Sequence, residues 1–122
     1  MKSLDYTEIK GGEAGNCGSV KESFTDAIGL ARVEMQPGLS SAHYQRITTK
    51  YYLVISGNGV LRVKDKDGRL SETELKEGVV VRIDPPEIHQ TNNFGSLLLE
   101  VITIPAWTKE DAISVHESLF DS

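Results

Sequence analysis

Cysteine is almost missing from this chain. The single Cys17 excludes an internal disulfide and suits a reducing compartment. No run of Lys and Arg occurs, and the formal net charge is -5. The electrostatic footprint of nucleic-acid or anionic-membrane binding is therefore lacking. No apolar stretch approaches the roughly 20 residues that cross a bilayer. The opening Met1-Lys2-Ser3-Leu4-Asp5-Tyr6 has no apolar core of the signal-peptide kind. These features lead us to expect a cytoplasmic protein with neither nucleic acid nor membrane as a partner. Histidine is also scarce, with three residues in 122: His43, His89 and His116. His116 lies in an acidic tail and reads as solvated.

What is present is a chain long enough for one domain with its own core. Short apolar runs alternate with turn residues. Ile28–Met35, Tyr51–Ser56, Val60–Lys64, Leu70–Lys76, Val79–Ile83 and Ser96–Ile104 read as strands. Gln36-Pro37-Gly38, Gly57-Asn58-Gly59, Asp65-Lys66-Asp67-Gly68 and Glu77-Gly78 punctuate them as turns. Tyr6–Ile9 reads as one further short strand. Residues 11–27, rich in glycine early on, read as a flexible loop with a weak helical pattern over Ser19–Ala27. Cys17 reads there as a small loop residue. Thr108-Lys109-Glu110-Asp111 has the form of a capping box, which predicts a short C-terminal helix within residues 108–122, with Trp107 as its packing anchor. Short strands without long helical spacers predict an all-β sandwich or barrel.

Two stretches carry the chemistry. The first runs Gly38, then His43-x-Gln45, then Lys50 after four residues, then Gly57 after six more. Residues two apart on a strand share a face, so His43 pairs with Gln45, and Lys50 with Tyr52 and Val54. The second runs Gly78, Asp84, Pro86, His89 and Asn93. The two prolines at 85 and 86 end a strand and fix the turn before His89.

This pair of stretches resembles the two motifs of the cupins, which are antiparallel jelly-roll β-barrels. The resemblance runs from about Gly38 to Asn93 and implies a single cupin domain over residues 1–122. It also implies a homodimer, with residues 1–10 as a candidate exchanged arm. Cupins usually hold a divalent metal with three His and one Glu. His43 and His89 stand at two of the histidine positions, Gln45 replaces the third, and Lys50 replaces the Glu. An ammonium about 4 Å from a dication repels it by roughly twice the ~4 kcal/mol of a unit-charge pair near a protein surface.

Three readings follow. In the first, the pocket binds a small molecule without metal, as in isomerase- or epimerase-like cupins acting on an anionic or sugar-type metabolite. Lys50 supplies positive charge, His43 or His89 a general base, and Tyr52, Gln45 and Val54 the ligand-binding walls. In the second, His43, Gln45 and His89 hold a weakly bound divalent transition metal for dioxygenase, isomerase or lyase chemistry. In the third, the barrel is a non-catalytic ligand-binding or structural module. Whether the protein is an enzyme stays open at this point.

Overall fold

The computed structural model describes residues 1–13 and 18–120. Twelve strands follow one another: β1 Gly12–Glu13, β2 Gly18–Thr25, β3 Gly29–Met35, β4 Gly38–Leu39, β5 His43–Gln45, β6 Thr49–Ser56, β7 Gly59–Lys64, β8 Leu70–Leu75, β9 Val80–Ile83, β10 Ile88–Asn93, β11 Leu97–Ile104 and β12 Ala112–Ser114. The first sheet runs β1-β2-β3-β11-β6-β9 and the second runs β12-β5-β10-β7-β8, with β4 also on β10. Each of these pairs is antiparallel. This is the two-sheet jelly-roll architecture expected from the strand pattern.

Alternation decides what is inside. Along β11, Leu97, Leu99, Val101 and Thr103 point inward and are buried. Along β6, Lys50, Tyr52 and Val54 are buried while Leu53 is exposed. Val33, Met35, Leu61, Leu75 and Ile83 complete the apolar core between the sheets. The turns use glycine where the backbone demands it. Gly57 has φ +98°, and a Cβ there would run into the carbonyl oxygen of Ser96. In the Asp65–Arg69 turn only Gly68 takes a positive φ, and Asp65 Oδ1 accepts from the amides of Asp67 and Arg69.

Three local expectations do not hold. Ser19–Ala27 is not helical: β2 is laddered to β3, with Val20 opposite Val33. With β1 it puts residues 12–13 and 18–25 in strands, within the stretch 11–27 where a loop was expected. Cys17 lies outside the described residues. Tyr6–Ile9 is not a strand. Tyr6–Glu8 form a 3-10 turn capped by Asp5, whose Oδ1 accepts from Thr7. Tyr6 then docks on the outer face of the first sheet, where its hydroxyl donates to Glu100 at 2.7 Å and Arg32 lies over its ring. Arg32 and Glu100 also pair with each other there.

Among the described residues the predicted C-terminal helix is absent too. Lys109–Asp111 make one 3-10 turn and the chain continues as β12. The Thr108 side chain makes no cap. Asp111, which a capping box would turn back on Thr108, is buried and accepts from the amides of Arg46, Ile47 and Thr48 instead. Three amides of a turn more than sixty residues away outbid the local cap. The tail after β12 crosses the second sheet. Leu119 is buried, its amide donates to Gln90 Oε1 at 2.7 Å, and Arg62 stacks over Phe120.

Candidate functional site

Strand register builds the site. β5 lies on β10 so that His43 stands opposite His89. Both rings point into the barrel and their centroids are 4.2 Å apart. β6 belongs to the other sheet and places Lys50 opposite Thr103 on β11 and Ile83 on β9. From there the Lys50 side chain reaches across to the histidines. Its Nζ lies 3.3 Å from His43 Nε2 and 3.4 Å from His89 Nε2. It also stands 5.7 Å from the centre of the Tyr52 ring.

The tautomers follow from the partners of the other ring nitrogens. His43 Nδ1 faces the Ser41 carbonyl at 3.4 Å, and His89 Nδ1 faces the Glu87 carbonyl at 3.1 Å. A carbonyl only accepts, so Nδ1 carries the hydrogen in each ring. Both Nε2 lone pairs are then acceptors, and both converge on Lys50. Burial pushes His43 down to about 4, with the Lys50 charge adding to the effect. Burial, Lys50 and His43 push His89 well below the usual histidine range. The two imidazoles are therefore neutral near pH 7.

A cavity of about 370 Å³ opens onto this cluster. His43, Lys50 and Tyr52 line it. His89 is buried behind them, and Gln45 and Val54 belong to the packed interior. Gln45 Nε2 is buried and finds no hydrogen-bond partner among the described residues. Leu30, Val33, Met35 and Trp107 give the cavity an apolar wall, and Glu13 and Glu22 add carboxylates.

Trp107, expected as a helix anchor, instead lines this cavity and is 43% exposed. Its backbone amide donates to Thr103 Oγ1. Thr103 also lines the cavity, and its signal in the sequence is a polar residue in the inward phase of β11. Ser41 and Glu22 are further lining residues that no short motif marks. His116 is exposed and apart from the site.

The donor set does not fit a divalent metal as it stands. The point on which both Nε2 atoms converge is taken by the Lys50 side-chain nitrogen. Among the described residues no group of three or more His, Cys, Asp or Glu is placed to hold a metal.

Comparison with known proteins agrees with this architecture. The barrel superimposes on Bacillus subtilis oxalate decarboxylase with TM-score 0.76 at 11% identity, over 92% of this chain and 31% of that one. It superimposes on the capsular polysaccharide assembling protein CapF of Staphylococcus aureus with TM-score 0.73 at 19% identity, over 86% of this chain and 33% of that one. The chain thus spans about a third of the length of these structures. No family model matches the sequence, and no curated protein matches it. The fold is that of the cupins. At these identities the likeness concerns the fold alone.

Proposed function

We propose that the protein is a metal-independent small-molecule-binding cupin that acts on an anionic or sugar-type metabolite as an isomerase- or epimerase-like enzyme. One observation carries this reading. The Lys50 nitrogen stands at the convergence of two neutral imidazoles, on the wall of a cavity of ligand size. A carboxylate, phosphate or developing oxyanion entering the cavity meets Lys50 at that end, away from the repulsion of Glu13 and Glu22. His43 is the histidine with access to the ligand. With its proton affinity reduced to about 4 it is a weak base near neutral pH. It gains strength in step with charge developing on the ligand beside it.

The test combines two measurements. Elemental mass spectrometry on protein purified without chelators or a His tag is expected to find no stoichiometric transition metal. Thermal-shift screening of carboxylates and sugar phosphates is expected to yield a ligand whose effect is lost in Lys50→Ala. A ligand at a hundredfold excess over its dissociation constant stabilises by about 2.7 kcal/mol. A stoichiometric metal would replace this reading with the metal-dependent one, in which His43, Gln45 and His89 are ligands and Lys50 swings away. The Mn(II) centres named for Bacillus subtilis oxalate decarboxylase make manganese the first metal to add back. No shift with any compound would favour the non-catalytic module.

We further propose a cytoplasmic homodimer. Among the described residues no helix is long and apolar enough to cross a membrane. Leu53 and its neighbour Val80 face outward on the first sheet at 39% and 62% exposure. A second copy covering that face would remove both from water. Light scattering of wild type and Leu53→Glu tests this, with a dimer expected for the first and a monomer for the second. A monomeric wild type would refute it.

A further inference from the structure

We propose that Lys50 forms an imine with a small aldehyde or ketone bound in the cavity. The inference rests on the proposed function only in placing the ligand at Lys50. It adds a covalent step and narrows the ligand to one with a carbonyl carbon.

The geometry that points to it is the hydrogen bonding around Nζ. Lys50 carries its charge in the resting site and sheds one proton before it attacks; the amine so formed has two N–H donors and one lone pair. Two acceptors, His43 Nε2 at 3.3 Å and His89 Nε2 at 3.4 Å, lie within reach, and each imidazole is fixed as an acceptor by the carbonyl at its own Nδ1. Bonded to both, the amine so formed has each hydrogen placed. Lys50 itself is 7% exposed, yet it borders the cavity together with His43. A lysine in a desolvated pocket with an adjacent base is the arrangement by which amines become nucleophiles toward carbonyls. Only His43 of the two histidines also lines the cavity, so it is the group that can exchange protons with both Nζ and a bound ligand.

The step balances without a redox partner. The Nζ lone pair attacks the carbonyl carbon, and the C=O π pair moves to oxygen. A proton passes from nitrogen to that oxygen through His43 Nε2, which gives a carbinolamine. The nitrogen lone pair then expels the hydroxyl group, which takes a second proton by the same route and leaves as water. Amine and carbonyl have become imine and water. Hydrolysis reverses each step and restores Lys50.

The experiment is reductive trapping of the intact protein with cyanoborohydride, using pyruvate and propanal as separate probes. Peptide mass spectrometry then compares the labelling rate at Lys50 with that at Lys2, Lys10, Lys21, Lys64, Lys66, Lys76 and Lys109 in the same sample. The expected result is that Lys50 labels faster than every other lysine. Lys50→Arg should lose that label while the remaining lysines keep their rates. Pyruvate tests a carbonyl carried beside a carboxylate, and propanal a carbonyl alone. Faster labelling of Lys50 by either probe supports the imine. A Lys50 rate no higher than those of the surface lysines, with both probes, overturns it. If an anion still shifts the melting temperature in that case, and still does so in Lys50→Arg but not in Lys50→Ala, the imine fails and the anion-binding reading stands. If anions have no effect either, both fall.

Discussion

Acid should loosen this barrel before its carboxylates are titrated. His43 is held at about 4, against an ordinary value of 6.5, first by burial and then by Lys50. The unfolded chain therefore binds a proton at pH values where the folded chain does not, and stability rises with pH across that window. The contribution is whole above about pH 6.5, shrinks as the pH falls, and is gone once the pH passes the folded value near 4. The gap corresponds to roughly 3 kcal/mol at 1.36 kcal/mol per pH unit. His89 is shifted in the same direction and adds to it. Against a typical domain stability of ~5–15 kcal/mol this is a large share. It amounts to a drop of about 10 °C in melting temperature between about pH 7 and about pH 4.5 for a domain of this size. Asp111 is the internal control. Burial alone would raise its carboxyl, but hydrogen bonds from Thr48, Ile47 and Arg46 together hold it below its ordinary value of 3.8, so its loss falls at lower pH. The assay is thermal unfolding followed by circular dichroism across this range, for wild type and His43→Gln. The variant should show a shallower slope. A flat wild-type curve, or an equal slope in His43→Gln, would refute the assigned state of the histidines.

Three substitutions probe the same geometry elsewhere in the barrel. Lys50→Glu replaces the nitrogen between the two Nε2 atoms with a carboxylate, and calorimetric titration should show divalent-metal binding that wild type lacks; equal affinities would show that Lys50 does not set metal preference. Asp111→Asn exchanges one accepting oxygen for a donor facing backbone amides, with an expected loss of about 1–3 kcal/mol in urea unfolding. Wild-type stability there would mean that the turn finds other acceptors. Gly57→Ala forces a side chain into positive φ and against Ser96, at a cost of about 1–3 kcal/mol or more; an unchanged midpoint would refute a fixed backbone at this turn.

The strands were readable because their signal is local. Alternation along Lys50-Tyr51-Tyr52-Leu53-Val54 is enough to assign the inward face, and β6 buries residues 50, 52 and 54. The same periodicity cannot say which strands become neighbours. The 4.2 Å contact of His43 with His89 comes from β5 lying on β10, and the reach of Lys50 comes from β6 standing in the opposite sheet. Two local signals give way to contacts from distant parts of the chain. Thr108–Asp111 spells a helix cap, but Asp111 satisfies amides at 46, 47 and 48, which no window around residue 108 contains. Ser19–Ala27 has weak helical periodicity, and laddering to β3 overrides it. No local pattern marks Trp107 as a cavity residue, because its place depends on where the chain leaves β11.

Lys50 is rooted in one sheet and bonded at its tip to two side chains of the other. It acts as a crossbeam as much as a binding group. A molecule that captures its nitrogen must draw it away from one or both imidazoles, so occupancy and rigidity trade against each other through a single side chain. Selection for tighter capture would slacken the joint between the two sheets. Selection for a tougher barrel would make the nitrogen harder to recruit.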